Sequence, residues 1–117
     1  MLSESDLILI LEEAEYESSL AADKFFREEM NGHDGGCCGF AWVNLYEYDG
    51  KKIKGNTKIG RLLKKLGVRQ NYNGTYEIWN PSKYACQNID TLEVGAKAAA
   101  DVFNKYGIKS SAGSRAD

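Results

Sequence analysis

The chain has 117 residues, of which 43% are hydrophobic, and its formal net charge at pH 7 is −2. This length fits one domain spanning residues 1–117, the composition excludes general disorder, and the net charge favours no class of partner. Three cysteines, two of them adjacent, exclude a secreted disulfide framework and favour a reducing cytoplasm. We recognise no signal peptide and no apolar run long enough to span a bilayer, so we expect no membrane partner.

Residues 3–31 are predicted to form an amphipathic helix that begins at Ser3 or Ser5. Apolar residues recur along one side of it at helical spacing, namely Leu7, Ile10, Leu11, Ala14, Ala21, Ala22, Phe25 and Phe26. Such a helix would be roughly 39 Å long at about 1.5 Å per residue, which exceeds the width of a small domain. We therefore expect it to break near Ser18-Ser19, to project, or to pack on another subunit.

Residues 36–48 are predicted to be the first strand of a core that spans residues 36–117. Side chains alternate across a strand, so small and aliphatic residues lie on one face, namely Ala41, Val43 and Leu45. The other face carries Phe40, Trp42, Asn44, Tyr46 and Tyr48. This aromatic face must be covered or used for binding.

The remaining elements follow from caps and turns. Asn56 or Thr57 caps a short helix that ends at Gly67, and Asn73-Gly74 marks a hairpin between two short strands. Asp90 with Glu93 resembles a capping box for a helix over Thr91–Tyr106, and a last strand begins at Ile108.

The predicted order after residue 36 is strand, helix, two strands, helix, strand. This order predicts an α+β fold with a ferredoxin-like βαββαβ core, also called a split βαβ fold. Right-handed crossovers place both core helices on one face of the sheet. We expect the N-terminal helix to cover the other face and to bury its aromatic side chains.

Charge is distributed unevenly along the chain. The segment from Ser3 to Met30 contains nine acidic and two basic residues, whereas the segment from Lys51 to Asn71 contains eight basic residues and no acidic one. Blocks of one sign are typical of interaction surfaces. We predict partner binding at Glu12, Glu13, Glu15 and Glu17. The alternative is that the two segments lie close together and partly neutralise each other.

Several short motifs lie between Cys38 and the C-terminus. In chain order they are Cys38-Gly39-Phe40-Ala41-Trp42-Val43, Lys54-Gly55-Asn56-Thr57, Ile78-Trp79, Gln87-Asn88, Gly95-Ala96 and Ser114-Arg115-Ala116-Asp117. In this order they resemble the pattern of a group of small tailed-bacteriophage proteins of no assigned function. The resemblance covers roughly two-thirds of the chain and excludes the acidic helix. It implies a phage gene product in the cytoplasm of a bacterial host, and it implies no reaction and no catalytic residue.

The residue types that carry chemistry are sparse. Adjacent Cys37 and Cys38 lack the CxxC spacing of zinc sites, and Cys86 has no second cysteine beside it, so we expect no metal and no cofactor. His33 would need an orienting group to act with a cysteine, and Asp34 is a candidate by proximity alone. We therefore expect no enzymatic activity.

A second kind of site combines aromatic and basic residues. The aromatic sheet face and the basic helix together favour a platform for single-stranded nucleic acid or a nucleotide. Its candidate residues are Trp42, Tyr46, Lys54, Asn56, Thr57, Lys58, Arg61 and Lys65. The loop before the helix also places lysines and backbone amides at a helix N-terminus, as anion sites do.

The main prediction is a non-enzymatic, phage-encoded binding protein that modulates a host or phage macromolecule through its acidic helix. The alternative is the single-stranded nucleic-acid or nucleotide-binding protein described above. A homodimer formed through the N-terminal helix is a further alternative.

Overall fold

The computed structural model describes residues 2–117. It contains three helices, α1 (Glu4–Glu28), α2 (Lys58–Lys65) and α3 (Ile89–Lys105), and five strands, β1 (Gly39–Tyr48), β2 (Lys51–Lys52), β3 (Arg69–Gln70), β4 (Tyr76–Trp79) and β5 (Ile108–Ala116). The α+β class and the N-terminal helix are therefore confirmed. Within residues 2–117, none of these helices has both the length and the apolar character needed to cross a bilayer.

Strand β1 is the centre of the antiparallel sheet. It pairs along its whole length with β5 on one side, and on the other side with β4 and then with β2. Strand β3 pairs with β4, so the four principal strands have the order β5-β1-β4-β3. The predicted turn at Asn73-Gly74 is confirmed, since this segment reverses the chain between β3 and β4. Asp49-Gly50 joins β1 to β2.

The predicted alternation of side chains along β1 is confirmed up to residue 46. Ala41, Val43 and Leu45 are buried in the core, whereas Phe40 lies on the opposite, exposed face. A β-bulge at Tyr46 then adds one unpaired residue, because Leu45 pairs with Ser110 and Glu47 with Lys109. A bulge changes which face the following residues occupy.

Tyr48 therefore does not join the aromatic face, and the prediction that placed it there is wrong. Beyond the bulge it pairs with Ile108, which is fully buried, and its ring packs against the core.

Helix α1 is one unbroken helix, so the predicted break near Ser18-Ser19 is wrong. Ser3 caps it and forms a capping box with Asp6. At about 1.5 Å per residue its 25 residues are about 37 Å long, which fits the 44 Å long axis of the molecule. Ser18 and Ser19 are tolerated in mid-helix because their hydroxyls donate to other parts of the chain, the carbonyls of Gly95 and Ser82.

The position predicted for α1 is also wrong. Its buried residues, which include Leu7, Ile10 and Ala14, belong to the same core as Val43 and Leu45, so α1 lies beside α3 on the helical side of the sheet. The physical reason is that two small residues, Ser18 on α1 and Gly95 on α3, allow the two helices to approach closely. Ser18 is completely buried, and its hydroxyl lies 2.6 Å from the carbonyl oxygen of Gly95.

Strand β2 was not predicted, and the other remaining elements differ from the predictions only at their ends. Thr57 caps α2, and its side chain accepts a hydrogen bond from the Gly60 amide. Asn88, rather than Asp90, caps α3 by accepting from the Thr91 amide, so this helix begins two residues earlier than predicted. Strand β5 continues to Ala116, since it pairs with β1 over its full length.

The close approach of α1 and α3 is testable at Gly95. A Cβ at this position would lie 2.9 Å from the Ser82 Cβ and 3.1 Å from the Ser18 Oγ. We expect Gly95→Val to lower the free energy of unfolding by about 1–3 kcal/mol, because the added side chain overpacks the contact. Urea denaturation measures this change. The control is Gly55→Val, since a Cβ on Gly55 meets no atom within 4 Å. Equal losses in both variants would contradict the tight α1–α3 contact.

Candidate functional site

The sheet face opposite the helices is open. Within residues 2–117 no helix lies on it, because α1, α2 and α3 all contribute to the core on the other side. Three of its aromatic side chains, Phe40, Tyr46 and Trp79, are each more than a third exposed. We call this surface the open face and its three central rings, Phe40, Trp42 and Trp79, the aromatic cluster.

The aromatic cluster is built by strand register. Trp42 on β1 is directly opposite Trp79 on β4, and their rings stack with centroids 4.9 Å apart and planes 24° apart. Phe40 meets Trp79 edge-on at 6.0 Å, and the Arg115 guanidinium lies 5.7 Å from the centre of the Phe40 ring. Cross-strand aromatic pairs contribute about 0.5–1.5 kcal/mol beyond the area they bury, so the cluster is held in place.

Gly113 on β5 makes room for this arrangement. It pairs with Trp42, and a Cβ on it would lie 2.6 Å from the indole ring. The Trp42 ring therefore lies against the backbone of β5 on one side of the cluster. Any larger residue at Gly113 must displace it.

Polar groups fix the rings at the edges of the open face. Glu77 accepts a hydrogen bond from the Trp79 indole at 2.9 Å and another from the Asn71 amide. The Tyr46 hydroxyl is hydrogen-bonded to Ser111 at 2.8 Å. The basic side chains of this face come from β2, β3 and β5, and they are Lys52, Arg69, Lys109 and Arg115.

The basic residues that the sequence grouped with these rings lie elsewhere. Trp42 and Tyr46 are on the open face, whereas Lys58, Arg61 and Lys65 belong to α2 on the helical side. The structure therefore does not bring the two halves of the predicted nucleic-acid site together.

The loop predicted to bind an anion at the start of α2 makes several hydrogen bonds within the chain. The Thr57 hydroxyl accepts from the amides of Lys54 and Gly60 and donates to the Lys54 carbonyl, and Arg61 donates to the carbonyl of Asn56. A Cβ on Gly60 would lie 1.9 Å from the Lys54 carbonyl oxygen, so the loop is folded tightly onto the helix. These groups stabilise the turn before α2.

The four acids predicted to bind a partner differ in what they contact. Glu13 accepts hydrogen bonds from Lys105 and Tyr106, and these bonds, chiefly the one from Lys105, lower the pKa of its carboxyl. Glu15 lies 3.9 Å from Lys83. Glu12 and Glu17 are exposed. Two of the four carboxylates are thus engaged within the chain.

The loop that contains Asp34, Cys37 and Cys38 is hydrogen-bonded to the segment that precedes α3. Asp34 accepts hydrogen bonds from the backbone amides of Gln87 and Asn88, which anchors this loop to the start of α3. Cys38 lies 3.6 Å from the Gln87 side-chain oxygen, and burial raises the pKa of Cys86. Within residues 2–117 no three His, Cys, Asp or Glu side chains converge as metal ligands.

Two residues of the open face appear in the motifs quoted above but were not predicted as site residues. Trp79 and Arg115 join the site because β4 and β5 flank β1 in a particular register. The alternation of Tyr-Glu-Ile-Trp in residues 76–79 was the available signal for Trp79. Tyr76 is buried, and Glu77 and Trp79 point to the opposite face of the strand. No signal in the sequence gives the cross-strand register of Arg115.

Comparisons of this chain with protein-family models, with curated proteins and with solved structures find no match. The resemblance to tailed-phage proteins therefore stays a prediction.

The role of Gly113 can be tested by spectroscopy. We expect Gly113→Val to separate the stacked indoles, because its side chain needs the volume that Trp42 occupies. The exciton signal of the Trp42–Trp79 pair in far-ultraviolet circular dichroism should then weaken, while thermal unfolding stays cooperative. Ser111→Val, on the same strand and face, is the control and should keep the signal. An unchanged signal in Gly113→Val would contradict the described packing.

Proposed function

We propose that this chain is a non-enzymatic, phage-encoded protein of the bacterial cytoplasm whose open face binds single-stranded nucleic acid. The observation that carries this proposal is the stacked Trp42–Trp79 pair, extended by Phe40, on a sheet face that no helix covers. Exposed aromatic side chains at fixed positions are what successive unstacked bases require. The commitment of Asp34 to backbone hydrogen bonds supports a role without catalysis.

The architecture supports the same proposal. We infer a ferredoxin-like core, because the order β5-β1-β4-β3 with antiparallel pairing is what two interleaved split βαβ units produce. RNA-recognition motifs, which have a four-stranded sheet, stack two or three bases on sheet aromatics. Here Phe40 and Trp42 on β1 and Trp79 on β4 occupy the two central strands.

The charge of the open face predicts a modest electrostatic contribution to the binding of single-stranded nucleic acid. Lys109 is 3.8 Å from Glu47, whereas Lys52, Arg69 and Arg115 form no ion pair within residues 2–117. Three cations neutralise about three phosphates, so the logarithm of the affinity should fall with that of the salt concentration with a slope of about −2.1 for a single strand. Stacking therefore supplies most of the expected binding energy, and bases rather than phosphates are the main contacts.

This proposal is tested by fluorescence anisotropy with a labelled short oligothymidylate at low salt. We expect Phe40→Ala and Trp79→Ala each to weaken binding by about 5–150-fold, because one stacked base contributes about 1–3 kcal/mol. The matched control is Tyr72→Ala, since Tyr72 is an aromatic residue with 98% exposure in the hairpin turn, outside the cluster. Equal affinity of all variants, or no binding by the natural chain, would contradict the proposal.

The exposed carboxylates of α1 favour a second candidate function. Glu12 and Glu17 are exposed, and neither forms an ion pair within residues 2–117. We propose that they contact a basic host or phage protein, which the chain would modulate without catalysis. Glu13 and Glu15 contribute less to this contact because they already have partners in α3 and in the loop before it.

The second candidate is tested by affinity capture from phage-infected bacteria, with nuclease present throughout. We expect Glu12→Lys/Glu17→Lys to lose the captured protein, since the substitutions reverse the charge of the contact. Glu28→Lys/Glu29→Lys makes the same change in net charge at the other end of the helix and should retain it. Identical capture by the natural chain and both double variants would show that the acids of α1 do not contact the partner.

A further inference from the structure

The outer side of α1 carries apolar residues that the core does not use. Leu9, Tyr16 and Leu20 are 64%, 62% and 49% exposed, although the helix buries Leu7, Ile10 and Ala14 on its other side. Positions 9, 16 and 20 are seven and four residues apart, so they share one side of the helix, and we call them the outer row. The outer row lies on the side of α1 opposite its buried residues.

Isolated exposed apolar residues are ordinary, but a row of large ones along one helix is a feature of docking surfaces. The row extends over three turns, with Glu12 between Leu9 and Tyr16. Glu17 lies beside it, and both carboxylates are exposed. An occupant of this surface must therefore cover apolar side chains and meet negative charge.

A second copy of this chain fits the row poorly. Glu12 and Glu17 flank the outer row on its two sides, because five residues correspond to about 140° around a helix. A second copy would bring the same two carboxylates to the seam, so each edge of a pair of α1 helices would carry acidic side chains from both copies, in either orientation. Like charges along a helix seam are destabilising, so a second copy is disfavoured.

We propose that the outer row of α1 binds a basic amphipathic helix of another protein. This partner would place apolar side chains over Leu9, Tyr16 and Leu20 and a lysine or arginine opposite Glu12. The inference rests on the second proposed function, the contact of α1 with a basic protein, and it adds the apolar seam and the helical class of the partner. Charge complementarity selects this occupant over an acidic or neutral one.

The partner's apolar residues follow the spacing of the outer row. They repeat after seven and four residues, which is the pattern of a helix that packs along another helix. The Tyr16 ring covers apolar surface while its hydroxyl stays at the wet edge of the seam, as tyrosines at interfaces do. Glu13 is held by Lys105 and Tyr106, so it borders the seam without competing for the partner's charge.

The test uses a synthetic helical peptide as long as α1, which has 25 residues. Its leucines have the spacing of the outer row and its flanks carry lysine and arginine; a control peptide of equal charge has serine in place of leucine. Titration calorimetry at two salt concentrations measures binding to the intact chain. We expect Leu9→Ala/Leu20→Ala to weaken binding of the leucine peptide about tenfold or more at both salt concentrations. Alanine keeps the helix, which circular dichroism checks.

A charge variant separates the two contributions. Glu12→Gln/Glu17→Gln should weaken binding chiefly at low salt, whereas Glu28→Gln/Glu29→Gln should bind like the natural chain. Equal binding of the leucine and serine peptides, with loss only in Glu12→Gln/Glu17→Gln, would overturn the apolar seam and leave the acidic contact standing. Binding of neither peptide would overturn both. A dimer in analytical ultracentrifugation that Leu9→Ala/Leu20→Ala abolishes would overturn the inference in favour of a second copy.

Discussion

The contact between Ser18 and Gly95 determines how the rest of the molecule is arranged. The completely buried serine hydroxyl donates to the carbonyl of a helical glycine at 2.6 Å, and this approach is open only to residues with little or no side chain. Because α1 is committed to α3 in this way, it cannot also cover the sheet. The open face and its aromatic cluster are a direct consequence.

Much of the local structure could be predicted from the sequence, since it depends on neighbouring residues. Ser3 and Thr57 cap their helices, Asn73-Gly74 reverses the chain, and Ala41 with Val43 faces the core. The position of α1 could not be predicted, because its apolar side would suit either face of the sheet. What decides between them is the fit of Ser18 to Gly95, two residues that are 77 positions apart in the chain.

The candidate sites were predictable only in part, for the same reason. Periodicity placed Trp42 and Tyr46 on one face, but the register of β4 and β5 brought Trp79 and Arg115 beside them. Counting charges along the chain overstated the acidic surface. The acids of α1 form ion pairs with three separate regions, through Lys65, Lys83 and Lys105, and exposed pairs of this kind contribute little to stability while they neutralise charge locally.

Placing every helix on one side of a thin sheet gives the molecule two unlike sides. The aromatic cluster lies on the sheet face opposite the helices, whereas the outer row lies on the side of α1 opposite its buried residues. A single short ligand cannot contact both surfaces at once. Binding at one surface therefore raises the effective concentration of a ligand at the second surface only if a flexible tether passes around the edge of the sheet. Two separate molecules, in contrast, can occupy the two sides without steric conflict.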